Sequence, residues 1–277
     1  MQKQIRQTAF HHTLIKMNLQ DYYMQRKILF EIVKQLKQRE VAFLQKIPNE
    51  KYQNFAVRQI NAFSIDMLLK NIERFDFFKI PSNMYYSLAK YRFMPIASFE
   101  PTQRKEDYKK WAQEWKSQFI SMDFAFDIDN KDIHKAWLDA GIIKDYFDKN
   151  NIPYTLAFSG SKGFHIEIPQ ENITGIKDTD EWVLAYQSLV NLIKRRLKVK
   201  FLDASITDAK RIFKVKYSLD VKSGLVCLPL TDEQFNDFST DICLPENVIN
   251  LRNLGFRGLL LRNAGSKIDF YELIKSI

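Results

Sequence analysis

The stretch Phe119-Ile120-Ser121-Met122-Asp123-Phe124-Ala125-Phe126-Asp127-Ile128-Asp129 alternates apolar side chains with small or acidic ones. A period of two is that of a half-buried strand. Asp127 and Asp129 are then expected on one face, with Cα atoms about 6.6 Å apart at a rise of about 3.3 Å per residue. Two carboxylates so close repel each other unless a cation lies between them. Hard divalent ions take oxygen ligands, and two-metal phosphoryl-transfer sites hold their ions about 3.5–4 Å apart. The pair reads either as a metal site at a strand end or as solvated acids in a polar, helix-capping turn.

A second chemically loaded stretch is Ser159-Gly160-Ser161-Lys162-Gly163-Phe164-His165-Ile166-Glu167-Ile168. Its glycines permit a tight turn and close approach of the backbone to a ligand. Ser159, Lys162 and free backbone N–H groups suit a phosphate. His165 opens the following strand and shares a face with Glu167. The alternative is an ordinary hairpin loop with a locally satisfied histidine. A third acid, Asp203, ends the short strand Phe201-Leu202-Asp203, followed by Thr207-Asp208 and a basic stretch with Arg211, Lys214, Lys216 and Lys222. Lys194, Arg195, Arg196, Lys198 and Lys200 follow one another at the end of a helical segment. They read as cations at a helix C-terminus or as contacts to a nucleic-acid backbone.

These residues must be positioned by a chain of 277 residues, 45% apolar and 14% aromatic, which is globular rather than disordered. Its net charge is +9 and its pI about 9.3, which favours polyanionic partners, nucleic acid first. Cys227 and Cys243 are the only cysteines. They form neither a CxxC nor a Cys/His cluster, so zinc is not expected, and their number suits a reducing cytoplasm. No apolar run reaches the roughly 18 residues of a membrane span, and the N-terminus lacks a signal-peptide core.

Helical spacing of Ile28, Leu29, Ile32, Val33 and Leu36 predicts an amphipathic helix over about 21–45. A strand over Asn54–Ile60, a short helix opened by Ser64 and a strand over Ile80–Tyr91 follow. Pro101–Lys116, with Trp111 and Trp115 at i,i+4, is expected as a helix leading into the acidic strand. A helix over Asp132–Lys149 is expected to bury Ile133, Trp137, Leu138 and Ile142. One over Glu181–Val199 is expected to bury Trp182, Tyr186, Leu189, Val190, Ile193 and Leu197. The segments Arg211–Leu219 and Lys222–Leu230 read as two strands joined by a turn near Gly224. The tail from Thr231 reads as mainly helical.

The order acid pair, Ser/Lys/His loop, third acid and basic hairpin resembles the archaeo-eukaryotic primase superfamily, in particular the catalytic small subunit of replicative primases. The match rests on Phe126-Asp127-Ile128-Asp129, on Ser159-Gly160-Ser161-Lys162-Gly163-Phe164-His165, and on Leu202-Asp203 through Thr207-Asp208 to Arg211. Tyr217 to Leu225 resembles the segment that closes over the nucleotide. Arg39 to Phe43, Arg58 and Pro81 to Ser87 resemble the family's early strands.

The resemblance implies an α+β primase fold with mixed and antiparallel sheets, an RRM-like catalytic half and flanking helices. It implies one catalytic domain over 1–277, with an N-terminal helical segment 1–38, a core 39–230 and a C-terminal helical segment 231–277. By the same resemblance Asp127, Asp129 and Asp203 hold two Mg²⁺ or Mn²⁺ ions, and Ser159, Lys162, His165, Arg211 and Lys222 bind the triphosphate. Glu40 and Arg58 are matched near the initiating nucleotide. The implied partners are a single-stranded DNA template, a primer strand and NTP or dNTP, with an accessory subunit or fused domain and no membrane.

The chain departs from the family in carrying Asp220 where a histidine is usual, in leaving no room for a zinc knuckle between Asp129 and Ser159, and in a compact segment before Asp203. Such minimal cores resemble primase-polymerases of mobile elements and CRISPR-linked systems. The rival readings are a gap-filling or end-joining polymerase of the same superfamily, a nucleic-acid-binding module with a decayed site, and chance motifs on a basic protein.

Overall fold

A computed structural model describes residues 17–45, 55–93, 113–114, 117–205, 207–251 and 260–277. The stripe expected as one helix over 21–45 divides into α1 (Leu19–Tyr23), α2 (Arg26–Leu36) and strand β1 (Val41–Gln45). The chain leaves α2 through Gln38, at φ 61°. Val41, Ala42 and Phe43 are consecutive and all buried, and a run buried on both faces carries no period that separates strand from helix.

β1 runs antiparallel between β2 (Phe55–Ile60) and β3 (Ser82–Ser87). β3 in turn pairs with β10 (Ile212–Lys214), giving the four-stranded order β10-β3-β1-β2. Between β2 and β3, α3 (Ile65–Arg74) starts where Ser64 Oγ accepts the N–H of Met67 at 3.2 Å, as the capping residue predicts. Most of the helix expected over Pro101–Lys116, including Trp111 and Trp115, lies outside the described residues.

The acidic stretch is two strands rather than one. β5 (Phe119–Met122) pairs with β4 (Ala89–Tyr91), and β6 (Phe124–Asp129) joins a different sheet. The break falls at Asp123, whose fully buried carboxylate is ion-paired with Arg39 and accepts the N–H of Gln170 at 3.0 Å. Ile120, placed inside by the alternation, is consequently exposed.

The second sheet has the order β6-β8-β7, with β7 at Thr155–Phe158 and β8 at Gly163–Ile168, all antiparallel. An antiparallel bridge from Ile128 to Leu202 adds a fourth segment beyond β6. With α4 (Ile133–Lys149) after β6 and α5 (Thr179–Arg196) after β8, the connectivity is β-α-β-β-α-β, the split βαβ arrangement of RRM-like sheets.

Asp132 caps α4 and Asn150 ends it. Its buried side, however, is Ala136, Asp139, Ala140, Ile143 and Phe147, while Leu138 and Ile142 face solvent, contrary to the expected stripe. α5 buries Trp182, Tyr186, Leu189, Val190 and Ile193 as expected, each side chain contributing on the order of 1.5–3 kcal/mol, while Leu197, also expected inside, is the C-cap residue and only half-buried.

β9 (Ile173–Thr174) pairs in parallel with β11 (Ile268–Asp269). The tail carries α6 (Asp232–Asn236), α7 (Pro245–Val248) and α8 (Phe270–Ser276). The two strands expected over Arg211–Leu230 reduce to β10 and a bridge from Leu219 to Val226. Tyr217, at φ 65°, bends the chain between them. One apolar cluster runs from Ile28 and Phe43 beneath the first sheet to Phe126, Ile166 and Tyr186 beneath the second.

Candidate active site

Antiparallel pairing of β6 with β8 sets Asp127 directly across from His165, and Asp129 across from Gly163. Both acids therefore share the strand face that the period of two predicts. His165 Nε2 lies 3.6 Å from Asp127 Oδ1. Lys162, at the end of the loop between β7 and β8, places its ammonium 3.2 Å from Asp129 Oδ2. Asp203 arrives from the bridging segment: its N–H donates to the carbonyl of Asp127 at 2.9 Å, and its Oδ1 accepts the N–H of Ser205 at 2.8 Å.

The electrostatics follow from this crowding. Burial, then repulsion from Asp129 and Asp203, raises the Asp127 acid to about 7, against the pull of Lys162 and Arg211. Asp127 Oδ1 is enclosed and has no hydrogen-bond partner, an expensive condition for a buried oxygen. Asp203 is more open. Partial burial pushes its acid up, but bonds from Ser205 and the charges of Arg211 and Lys194 outweigh that and leave it below the usual carboxylate range. His165 is held neutral, first by burial and then by the cations of Lys216 and Lys214. Its Nδ1 is buried without a partner, and its ring packs on Phe213 at 4.1 Å between centroids.

Among the described residues, no three His, Cys, Asp or Glu side chains converge as a ready-made metal cage. The donor set nonetheless fits a hard divalent ion. It offers three carboxylates in one another's field, one carrying an orphaned, enclosed oxygen.

The loop beside the acids is built from its own hydroxyls. Ser159 Oγ accepts N–H bonds from Gly163 at 3.2 Å and Ser161 at 3.4 Å, so this side chain braces the turn. Gly160 has φ +85°, and a Cβ there would meet Cys227 N at 3.2 Å and Leu225 O at 3.3 Å. Ser223 Oγ donates to the Gly160 carbonyl, which pins the Asp220–Leu225 turn, and Lys222 with it, against the loop. Asp220 anchors that turn: its Oδ1 accepts the N–H groups of Lys222 and Ser223 at 3.0 Å, and its Oδ2 is ion-paired with Lys214. The departure from histidine thus brings a second charge with it. Arg211 donates to the Ser205 carbonyl at 2.8 Å and stands 3.5 Å from Asp208.

The two residues matched near an initiating nucleotide lie on the first sheet. Glu40 is buried just before β1, bonded through its backbone to Ser87. Arg58 falls on β2, and its side chain lies outside the described residues.

One part of the site was not anticipated. Lys216 is buried and ion-paired with Glu167, and it donates to Tyr86 Oη at 3.0 Å. Tyr86 in turn donates to Glu167 Oε2 at 2.5 Å. Gln35 bonds the backbone of Lys216 on both its N–H and carbonyl sides. The available signal was the spacing: Lys214 and Lys216 alternate with Phe213, Val215 and Tyr217, and so point together to one side of an apolar strand.

No protein-family model and no curated protein matches the chain. Among solved structures, the polymerase domain of Mycobacterium tuberculosis Ligase D in complex with DNA is similar with a TM-score of 0.54 at 14% identity, over 84% of this chain and 88% of that one. The AEP domain of the cyanophage S-2L primase-polymerase aligns at a TM-score of 0.42 and 10% identity, over 73% and 85% of the two chains. The first similarity, together with the β-α-β-β-α-β half, shows that the chain shares the fold of that polymerase domain.

Proposed function

We propose that the chain is a template-directed nucleotidyltransferase, a DNA primase or primase-polymerase that builds and extends primers from NTP or dNTP. The observation that carries this reading is the placement of Asp127, Asp129 and Asp203 along one sheet edge, close enough for the latter two to raise the Asp127 acid, beside Lys162 and His165. Crowded acids that raise Asp127 to about 7 are unfavourable for a fold and useful for binding cations.

Asp127, Asp129 and Asp203 would hold Mg²⁺ or Mn²⁺. Such ions, when bound, neutralise phosphate charge and activate a hydroxyl for in-line attack. The chain's own groups do the positioning. The exposed Lys162 ammonium is free to exchange Asp129 for a phosphate oxygen. Arg211 and Lys222 would neutralise the remaining phosphate charge. His165, neutral and wedged on Phe213, would keep an N–H at Nε2 to orient the Asp127 carboxylate or a phosphate. Glu40 and Arg58 are assigned only to the side of the initiating nucleotide. A single-stranded DNA template and a primer strand are the macromolecular partners. Two free, buried thiols suit a cytoplasmic setting.

Among the described residues no helix is long and apolar enough to cross a membrane. A second reading, an end-joining or gap-filling polymerase that extends but does not initiate, is favoured by the similarity to the Ligase D polymerase domain. A synthesis assay on single-stranded DNA with Mn²⁺ or Mg²⁺, with and without a supplied primer, separates the two. New chains without primer support the primase reading, and extension alone supports the second. Incorporation in neither case removes both.

A further inference from the structure

Arg195, Arg196, Lys198 and Lys200 are all exposed, and no acidic side chain pairs with any of them among the described residues. Elsewhere exposed lysines are either neutralised locally, as Lys79 is by Asp76, Lys135 by Asp132 and Lys275 by Glu272, or stand singly, as Lys37 and Lys131 do; the four here stand together. The helix dipole favours cations in the last turn of α5, but that effect fades within the turn. Lys198 and Lys200 lie beyond the helix end at Arg196. Four like charges within six residues repel one another, and a cluster of this kind without counter-charges is the footprint of a polyanion partner.

The backbone that carries the cluster is tied to α4 and runs directly into the acids. Asp139 Oδ2, buried on α4, accepts the N–H groups of Lys200 at 2.6 Å and Phe201 at 2.7 Å. Lys194 Nζ donates to the Leu202 carbonyl at 2.6 Å. The Phe201 carbonyl accepts the N–H of Asp129 at 3.2 Å. Asp203 follows Lys200 by three residue steps, at most about 10 Å of chain. That is roughly three nucleotide steps at about 3.4 Å per step along one strand.

We infer that Arg195, Arg196, Lys198 and Lys200 form the surface that holds the phosphate backbone of a nucleic-acid strand leading into the acid cluster. The inference rests on the proposed function for the purpose of that strand, but not for its binding. The contacts are cationic heads on flexible stems, which grip phosphate without reading bases.

The test is anisotropy of a labelled single-stranded DNA across a KCl series. It compares wild type, the variant Arg195→Gln/Arg196→Gln/Lys198→Gln, and a control with the same charge change, Lys79→Gln/Lys135→Gln/Lys275→Gln. Each phosphate contact to a single strand contributes about 0.7 to the salt slope, so loss of three lowers it by about 2. The patch variant is expected to bind at least about tenfold more weakly at low salt with that reduced slope, while the control binds as wild type does. Equal loss in both variants, an undiminished slope in the patch variant, or no DNA binding by wild type overturns the inference. The readout needs no catalysis. A chain that binds through the patch yet incorporates no nucleotide overturns the proposed enzyme and leaves the patch standing.

Discussion

Gly163 lies directly across the ladder from Asp129, so close that a Cβ built on it would overlap both the Asp129 carboxylate and the Ile128 carbonyl. Only hydrogen fits there, and β8 can therefore come up against the acid at the point where Lys162 also reaches it. Gly163→Ala is expected to cost about 1–3 kcal/mol by overpacking. It should also displace Asp129; a shift of about 1 Å is enough to lower turnover by roughly 10²-fold. Melting and nucleotide incorporation measured on one preparation check both numbers. A variant that melts and incorporates as wild type does would show that β8 has slack the geometry denies.

Asp127 gives the chain a pH-dependent weakness. Its acid lies at about 7 in the fold against 3.8 in the open chain, so both states are protonated at low pH and the group then costs nothing. As pH rises from about 4, the unfolded state loses the proton first, stability declines, and the full penalty is present above about 7. Asp127→Asn should therefore melt higher than wild type at pH 8 in metal-free buffer, by about 1–2 kcal/mol after allowance for solvent screening. The gap should shrink towards pH 5, and Mg²⁺ or Mn²⁺ should narrow it at pH 8 by stabilising wild type alone. Thermal melts at the two pH values decide it; a variant less stable at pH 8 contradicts the reading of the crowded acids.

Beneath His165, the buried pair Lys216–Glu167 makes a different prediction. Lys216→Met leaves Glu167 charged and desolvated and should cost about 3–5 kcal/mol. Adding Glu167→Gln to that variant should recover much of the loss, because the orphaned charge is gone. Denaturant unfolding of the single and double variants measures the coupling. Additive losses would mean that the two side chains do not act as a pair.

The parts legible in the sequence are those where one local rule decides. Ser64 and Asp132 cap helices because a short acceptor precedes an apolar run, and α5 shows its stripe because one face alone is buried. Asp127 and Asp129 share a face because strands have period two. The break at Asp123 was not legible, since the alternation continues through it and only Arg39, distant in sequence, explains why the chain changes sheets there. The exposure of Leu138 and Ile142 was hidden because α4 turns its small residues and Asp139 inward, where Asp139 is needed to hold Lys200 and Phe201. Lys214 and Lys216 were legible only as part of a basic stretch. Their burial depends on Asp220 and Glu167 meeting them, and those pairings exist only in three dimensions.

The central claim is that Asp127, Asp129 and Asp203, neighbours along one sheet edge, are the reacting centre. Its most direct test is incorporation of a labelled nucleotide into a primed single-stranded template by wild type and by Asp127→Ala, with DNA binding read on the same samples. The account predicts that Asp127→Ala loses incorporation by roughly 10³-fold or more while binding DNA at least as well, since it removes a negative charge from beside the phosphates. Incorporation by Asp127→Ala at the wild-type rate would contradict it.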